Sequence, residues 1–326
     1  MRPNQIVFLA LPMVLLGAAA GAQAPRTPWG DPDLQGKWSN ATLTPLQRPA
    51  ELKDKEFFTE EEAKAYVRQR IAATSGDANI ERDRSAGNVG SYNDAWMDRG
   101  NDIVPTRRTS LIVDPANGRV PPFTAAAQRE HERNLAHAVA HPADTPEDRY
   151  LTERCIVFGG GAAPMLPEHY NNNYYIVQTP DEVAIMAELN HEVRIIPIDG
   201  RPHLPAGVRQ WTGDSRGRWE GETLVVETTN QTPHRHFYGV QMLDSVMSDE
   251  FRTVEHFTRT GPEQIRYRAT VYDPVFTAPW TIEVFMHPQA GDHYQIAPDR
   301  CGYRRRSLDS TSGLQAGLDP EDVLVA

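Results

Sequence analysis

Short apolar runs separated by glycine, proline, asparagine and aspartate fill the second half of this 326-residue chain. Runs of this length and composition are typical of β-strands. Eight of them follow residue 173 with no helical period between them, and they cover residues 174–179, 183–189, 193–198, 223–229, 250–259, 264–272, 280–287 and 293–296. Because their spacing is mostly that of hairpins, the pattern predicts a mainly β fold, an antiparallel meander that closes into a barrel or a strongly curved sheet. A β-sandwich is the alternative that periodicity leaves open.

Two helical periods precede the strand-rich half. Thr59 and Glu62 form a capping box in front of apolar residues at helical spacing. A second helix is predicted over residues 125–140, where Thr124 opens it and Pro142 follows its end. We expect these N-terminal helices to pack on the β-rich domain.

Composition divides the chain into four segments. Residues 1–22 have the positive start, apolar run and small-residue end of a signal peptide, which predicts a periplasmic or secreted protein. Residues 23–105 are interpreted as an N-terminal arm, a helix and a long loop, residues 106–310 as the β-rich main domain, and residues 311–326 as a polar C-terminal tail. No later run is long enough to cross a bilayer, so no membrane insertion is predicted after signal cleavage.

Alternation within consecutive strands predicts which side chains share a face of the sheet. One face of the strands is apolar, whereas the other carries arginine, histidine, tyrosine and glutamate. A hairpin register that matches the apolar faces puts His256 beside Arg268 and Arg252 beside Tyr272. This polar ladder is either the solvent face of the sheet, which half-exposed sheets favour, or the lining of a lumen wide enough for one ligand.

The net charge of the chain indicates which classes of partner it can bind. Lys and Arg number 33 against 44 Asp and Glu, which gives a net charge of −11 at pH 7. A negative balance argues against binding to a phosphate backbone, so no nucleic-acid partner is predicted. The expected partner is a small-molecule substrate or ligand.

Only two cysteines occur, Cys155 and Cys301. In an exported chain, two cysteines most simply form one disulfide bond. The apolar residues 156–158 indicate a core strand, which favours a structural thiol over the alternative of a catalytic thiol or a metal ligand.

Reactive side chains concentrate in residues 191–230, around two of the predicted strands. Loops on a rigid scaffold commonly carry functional residues. Histidine titrates near neutral pH and suits proton transfer, and arginine binds carboxylates with two parallel hydrogen bonds. The segment therefore predicts His203 as a catalytic acid or base and Arg201 and Arg209 as substrate-binding residues.

The polar ladder supplies further candidates of the same chemistry. His256 is a second acid/base group, Tyr272 is a second proton donor, and Arg268 is a third arginine for an anionic group of the substrate. Tyr170 and Asn172 stand in a Tyr- and Asn-rich stretch that could bind a polyol or a glycan, because aromatic rings stack on sugars and amides pair with hydroxyls. The alternative for that stretch is an Asn-rich turn before a strand.

Two sequence motifs match only part of the pattern of a known catalytic or metal site. Residues 213–217 match G-x-S-x-G, but the nucleophile elbow needs a buried strand before the serine and a helix after it. His234 and His236 have a spacing that metal sites use, yet Gln241 and Met242 stand where a cupin-like site would place glutamate. The sequence holds no phosphate-binding glycine loop and no CxxC, so we predict no cofactor and no metal.

Several segments resemble a recurrent group of uncharacterised secreted bacterial proteins: PWGDPDLQGKWSN, TRRTSLIVDP, YNNNYYIVQTPDEVAIM, RIIPIDGRPHLP, GDSRGRWEGETLVVETTN and PVFTAPW. The resemblance covers most of the chain after residue 22 and implies a shared fold and an exported location. It implies no activity, so no catalytic residue is carried over. The strand-rich half is also loosely similar to lipocalin-like barrels.

Together these features favour a periplasmic enzyme that acts by cofactor-independent acid–base chemistry on a small polar or glycosidic substrate. A lyase, an isomerase or a hydrolase would each fit. The alternative is a non-catalytic, lipocalin-like protein that binds a hydrophobic or polyol ligand in the barrel.

Overall fold

The computed structural model describes residues 24–75, 80, 99–149, 151, 154–157, 161–168, 172–188, 192–233 and 246–289. Within these residues, ten strands form one antiparallel sheet. They are β1 (Gly36–Ser39), β2 (Ile112–Asp114), β3 (Asn173–Gln178), β4 (Glu182–Ala187), β5 (Val193–Pro197), β6 (Asp214–Glu220), β7 (Thr223–Thr229), β8 (Arg252–Gly261), β9 (Gln264–Tyr272) and β10 (Trp280–Pro288).

The strands follow the order β5-β4-β3-β1-β10-β9-β8-β7-β6, and β2 pairs with β10 beside this path. The nine strands of the path curve into a nearly closed barrel, which confirms the predicted mainly β, antiparallel fold. β1 joins the two halves of the barrel because it pairs with β3 on one side and with β10 on the other.

The barrel closes along a line between β5 and β6, here called the seam. These strands are the two ends of the path, so no ladder of hydrogen bonds joins them among the described residues. They still approach closely: a Cβ atom added to Gly217 would lie 2.7 Å from Ile198 Cγ2 and 2.9 Å from Ile196 Cγ2. Position 217 of β6 therefore requires glycine, because the side chains of Ile196 and Ile198 occupy the space that a Cβ atom would need. The loop of residues 198–213 connects the two edges.

Seven of the eight predicted strands are confirmed, and the eighth, residues 293–296, lies outside the described residues. β6 was not predicted, because its sequence DSRGRWE is polar and resembles a glycine-rich turn. β1 comes from the segment interpreted as an extended arm. Ile156 and Val157 belong to no strand, in contrast to the predicted core strand, and Cys155 itself is exposed with φ of 52°. Residue 158, the last of the predicted strand, lies outside the described residues. Cys301 lies outside the described residues, so the disulfide bond stays a prediction.

The inner face of the barrel is filled with side chains. Its fully or almost fully buried members include Tyr174, Ile176, Val183, Ile185, Ile196, Leu224, Val226, Phe257, Ile265, Tyr267, Ala269, Val271, Trp280, Ile282, Val284 and Met286. Period-two alternation along each strand places these residues inward and the residues between them outward. Beside Trp280, at one end of the barrel, a pocket of about 20 Å³ has room for about one water molecule.

A buried ion pair crosses this apolar interior. Arg194 on β5 donates to Glu255 on β8, with Nη1 3.1 Å from Oε1, and the two side chains are 2% and 0% exposed. The Tyr267 hydroxyl donates to the same carboxylate at 2.8 Å and accepts from the Met165 backbone N–H at 2.8 Å. Burial, with Glu255 beside it, raises the pKa of Tyr267 well above its usual value, so the hydroxyl keeps its proton.

The described chain has two α-helices outside the sheet, α1 (Glu60–Thr74) and α2 (Ala125–Ala140). Thr59 and Glu62 form the predicted capping box on α1, and the Thr124 side chain caps α2. Buried Ala127 of α2 belongs to the barrel core, whereas Ala63 of α1 packs in a smaller cluster with Leu43, Phe58 and Ile103. Neither helix is long and apolar enough to cross a membrane.

Arg194→Met and Glu255→Leu each leave one buried charge without its partner, and such changes cost about 3–5 kcal/mol. We expect each single variant to lower the free energy of unfolding by that amount, measured by urea denaturation. The free energy of unfolding should fall less in the double variant than in either single variant, because no unpaired charge remains inside the barrel. Equal losses in the double and single variants, or losses of only about 1 kcal/mol as at exposed pairs, would contradict this role for the pair.

Candidate functional site

The polar ladder lies on the outer face of the barrel. His256 pairs with Arg268 and Arg252 with Tyr272, so the predicted register is confirmed. Because their neighbours Glu255, Phe257 and the apolar residues of β9 point inward, the ladder is the solvent face and does not line the lumen. Any site built from these residues is open to solvent on the outside of β7 to β10.

His203 is held by a buried carboxylate on this outer face. It lies on the loop that spans the seam, and its Nδ1 is 2.8 Å from Oδ2 of Asp214 at the start of β6. The Leu204 backbone N–H donates to the same oxygen at 3.0 Å, and Arg216 Nη1 lies 2.6 Å from Oδ1. Asp214 is 4% exposed and His203 is 26% exposed, so the imidazole ring is fixed by a buried partner while it reaches solvent. A hydrogen bond of this kind sets the tautomer and the orientation of a histidine.

A second carboxylate faces the other nitrogen of the ring. Oε2 of Glu227 on β7 lies 3.9 Å from His203 Nε2, and Arg252 Nη1 donates to Oε1 of the same carboxylate at 2.8 Å. Arg252 in turn lies over the Tyr272 ring, 4.2 Å from its centroid. We call Asp214, His203, Glu227, Arg252 and Tyr272 the His203 cluster. The structure thus brings two of the predicted catalytic residues, His203 and Tyr272, into one chain of contacts.

A polar groove of about 320 Å³ lies on the same face of the sheet. Side chains from four consecutive strands line it: Thr223, His256, Thr258, Arg266, Arg268, Thr270 and Thr281. The threonine hydroxyls form two cross-strand pairs, Thr223 with Thr258 at 2.8 Å and Thr270 with Thr281 at 2.9 Å. The groove is next to the His203 cluster, because Glu227 pairs with Val254 and His256 is two residues further along β8.

His256 lies in the wall of this groove. Partial burial, the positive charge of Arg268 and, to a smaller extent, Arg218 lower its pKa, while Glu220 and Glu255 oppose the shift. The ring makes no hydrogen bond with another described residue. His256 is therefore mostly neutral at pH 7 and has both ring nitrogens available to a ligand.

The other predicted substrate-binding residues lie elsewhere. Arg201 forms an exposed pair with Asp199 in the turn after β5. Arg209 donates to the backbone oxygens of Gln231 at 3.0 Å and of Asp249 at 3.3 Å. Asn172 is 1% exposed, and its side-chain amide accepts from the Glu168 backbone N–H and donates to the Glu168 backbone oxygen. Tyr170 lies outside the described residues.

Several residues of the site were not given roles by the sequence, among them Asp214, Glu227 and Arg266. Asp214 and Glu227 belong to a segment rich in charged residues, and only the three-dimensional approach of the 198–213 loop to β6 selects them as partners of His203. Arg266 alternates with Arg268 on β9, and that alternation was the available signal for it.

The structure gives no support for a site at the remaining sequence motifs. Ser215 of the G-x-S-x-G match lies inside β6, is 4% exposed and shares a hydrogen bond of 2.8 Å with Thr228, so the nucleophile elbow is absent. His234 and His236 lie outside the described residues. Across the described part of the chain, no group of three or more His, Cys, Asp or Glu is placed to hold a metal ion.

Comparison of the chain with protein-family models and with curated proteins finds no match.

The Asp214 carboxylate can only accept a hydrogen bond, so neutral His203 must carry its proton on Nδ1. We expect long-range ¹H–¹⁵N spectra, recorded where the His203 imidazole is neutral, to show this ring protonated at Nδ1 and unprotonated at Nε2. Its exposed Nε2 is then free to accept a proton. A neutral His203 with its proton on Nε2 would contradict the geometry.

NMR titration of His256 should give a midpoint below the usual histidine value of about 6.5. Arg268→Gln removes the largest charge effect on this residue and should raise its pKa. Arg133→Gln, on the exposed face of α2, is the matched control for the loss of one charge. An unchanged His256 midpoint in Arg268→Gln would show that the two residues are not neighbours in solution.

Proposed function

We propose that this protein is an exported enzyme that acts by cofactor-independent acid–base chemistry on a small polar substrate. The observation that carries the proposal is the contact between His203 Nδ1 and buried Asp214 at 2.8 Å, which leaves Nε2 facing Glu227 on a partly exposed ring. The apolar run near the N-terminus and the resemblance to secreted bacterial proteins support export.

His203 is the proposed acid/base residue that takes and returns the proton. Asp214 fixes the ring and stabilises the positive charge that forms when Nε2 accepts a proton. This carboxylate is suited to that role because Leu204 N–H and Arg216 hold both of its oxygens in place. Cofactor-independent lyases, isomerases and hydrolases commonly use a proton transfer of this kind.

Glu227 and Arg252 are the proposed positioning residues around the proton transfer. The Glu227 carboxylate faces Nε2 at 3.9 Å, so it stabilises the protonated ring, and Arg252 holds Glu227 in that place. Tyr272 lies under the Arg252 guanidinium, which supports a role in positioning that arginine in addition to its proposed role as proton donor. Each of these side chains is partly exposed, so a substrate can reach them.

The groove beside the cluster is the proposed place for the rest of the substrate. Its threonine hydroxyls, arginines and histidine suit a hydroxylated molecule. Its volume of about 320 Å³ is at the lower end for small-molecule sites, which fits a small substrate. The closely packed inner face favours this outer site over a ligand held within the barrel, the arrangement of the lipocalin-like alternative.

The test begins with a thermal-shift screen of small hydroxylated acids, sugars and their esters. Compounds that stabilise the protein are then followed by NMR and mass spectrometry for conversion to product. For a converted substrate, His203→Gln should lower kcat about 100-fold or more, the usual contribution of a general acid or base, with a smaller change in KM.

His141→Gln is the matched control, because His141 also pairs with an aspartate, Asp144 at 2.7 Å, at the exposed end of α2. We expect this variant to keep the turnover of the unmodified protein. Undiminished turnover in His203→Gln would exclude the proposed role of His203. Ligands that bind but return unaltered would favour a binding protein.

A further inference from the structure

The groove on the outer face holds two arginines that have few polar contacts with the rest of the described chain. The Arg266 guanidinium has no hydrogen bond or ion pair to another described residue. Arg268 has a loose contact of 3.7 Å between its Nε and Oε2 of Glu283, and its side chain is 45% exposed. Together with the unpaired ring of His256, the groove presents three nitrogen-bearing side chains with free donors.

Other arginines on the outer face differ from these two because each of them has a close carboxylate partner. Arg216 pairs with Asp214, Arg218 with Glu220 and Arg252 with Glu227. In a chain with a net charge of −11, carboxylates to neutralise an arginine are plentiful. Among the described residues of the groove, Arg266 has no carboxylate partner and Arg268 has only the longer contact with Glu283, and the two arginines lie two residues apart on β9.

The register explains why these groups converge. Thr223, Thr258 and Arg266 form one cross-strand row over β7, β8 and β9, and His256 and Arg268 form part of the next. Adjacent rows on one face of a sheet are close enough for long side chains to reach the same small ligand. Arginine donors and threonine hydroxyls are the groups that proteins use to bind phosphate, sulfate or carboxylate oxygens.

We propose that the groove binds an oxyanion, with Arg266 and Arg268 as its principal donors and His256 and the threonine hydroxyls around it. The substrate of the enzyme is accordingly a small hydroxylated molecule with a phosphate, sulfate or carboxylate group, an assignment that rests on the proposed function. The oxyanion is held over β8 and β9, and the hydroxylated part extends toward Glu227 and His203.

The test is isothermal titration of the unmodified full chain at low ionic strength with sodium sulfate, sodium phosphate, sodium malonate and glucose. Sulfate or phosphate binding identifies a tetrahedral oxyanion, malonate binding identifies a carboxylate, and glucose measures what the hydroxyl groups alone contribute. We expect at least one anion to bind, and Arg266→Gln to weaken that binding about tenfold or more through the loss of charge-assisted hydrogen bonds.

Three variants separate the groove from other effects. Arg268→Gln tests the second arginine at an exposed position, Arg133→Gln removes one charge on α2, and His203→Gln removes the proposed acid/base residue. Anion affinity should fall in Arg268→Gln and stay unchanged in Arg133→Gln and His203→Gln. Circular dichroism of each variant checks that it has folded.

The proposal is overturned if no anion binds, if Arg266→Gln and Arg268→Gln both bind as tightly as the unmodified protein, or if Arg133→Gln loses as much affinity as they do. Failure of the proposed function gives a different result: anion binding remains dependent on Arg266, while no anionic substrate is converted by a His203-dependent reaction. Conversion of a neutral substrate through His203, without anion binding, would overturn the groove and leave the enzyme proposal intact.

Discussion

The ion pair between Arg194 and Glu255 is the constraint on which the arrangement of the barrel depends. β5 has a ladder on one side only, and this buried pair ties it across the interior to β8. A buried ion pair contributes little net stability compared with apolar packing, yet it is strongly unfavourable when its partners separate. It therefore fixes where β5 must lie more than it adds to stability. The position of β5 decides where the loop with His203 begins.

Strand alternation then divides the chemistry of the protein between two faces. Inward positions are occupied by the core and the ion pair, so titratable groups for solution chemistry are left on the outer face of β6 to β9. The same alternation places Glu227 and His256 on one surface, although they belong to different parts of the proposed site. A filled barrel can in this way carry a site on its wall without a cavity in its interior.

The sequence was sufficient for the strands with regular alternation and for the register of β8 with β9, because a slip of one residue would have turned an apolar face to solvent. It was insufficient for β6, whose polar residues and Gly217 resemble a turn, and whose pairing depends on β7 rather than on its own pattern. His203 was selected by its chemistry alone. Its partner Asp214 could not be selected, since that contact depends on how the loop of residues 198–213 folds back.

The seam leaves the barrel with two edges, β5 and β6, that no ladder of hydrogen bonds joins among the described residues. Relative sliding of its two edges must be absorbed by the chain that connects them. Because Pro202, His203 and Leu204 are all anchored on Arg216 or Asp214 of β6, any such displacement falls on residues 198–201, where Gly200 has a positive φ of 80°. Glu227 and the groove belong to the continuous ladder of β6 to β10, and His203 is anchored to the first residue of β6 through Asp214. The spacing between the site of proton transfer and the groove is thus set by β6 to β10 and not by how β5 meets β6 at the seam.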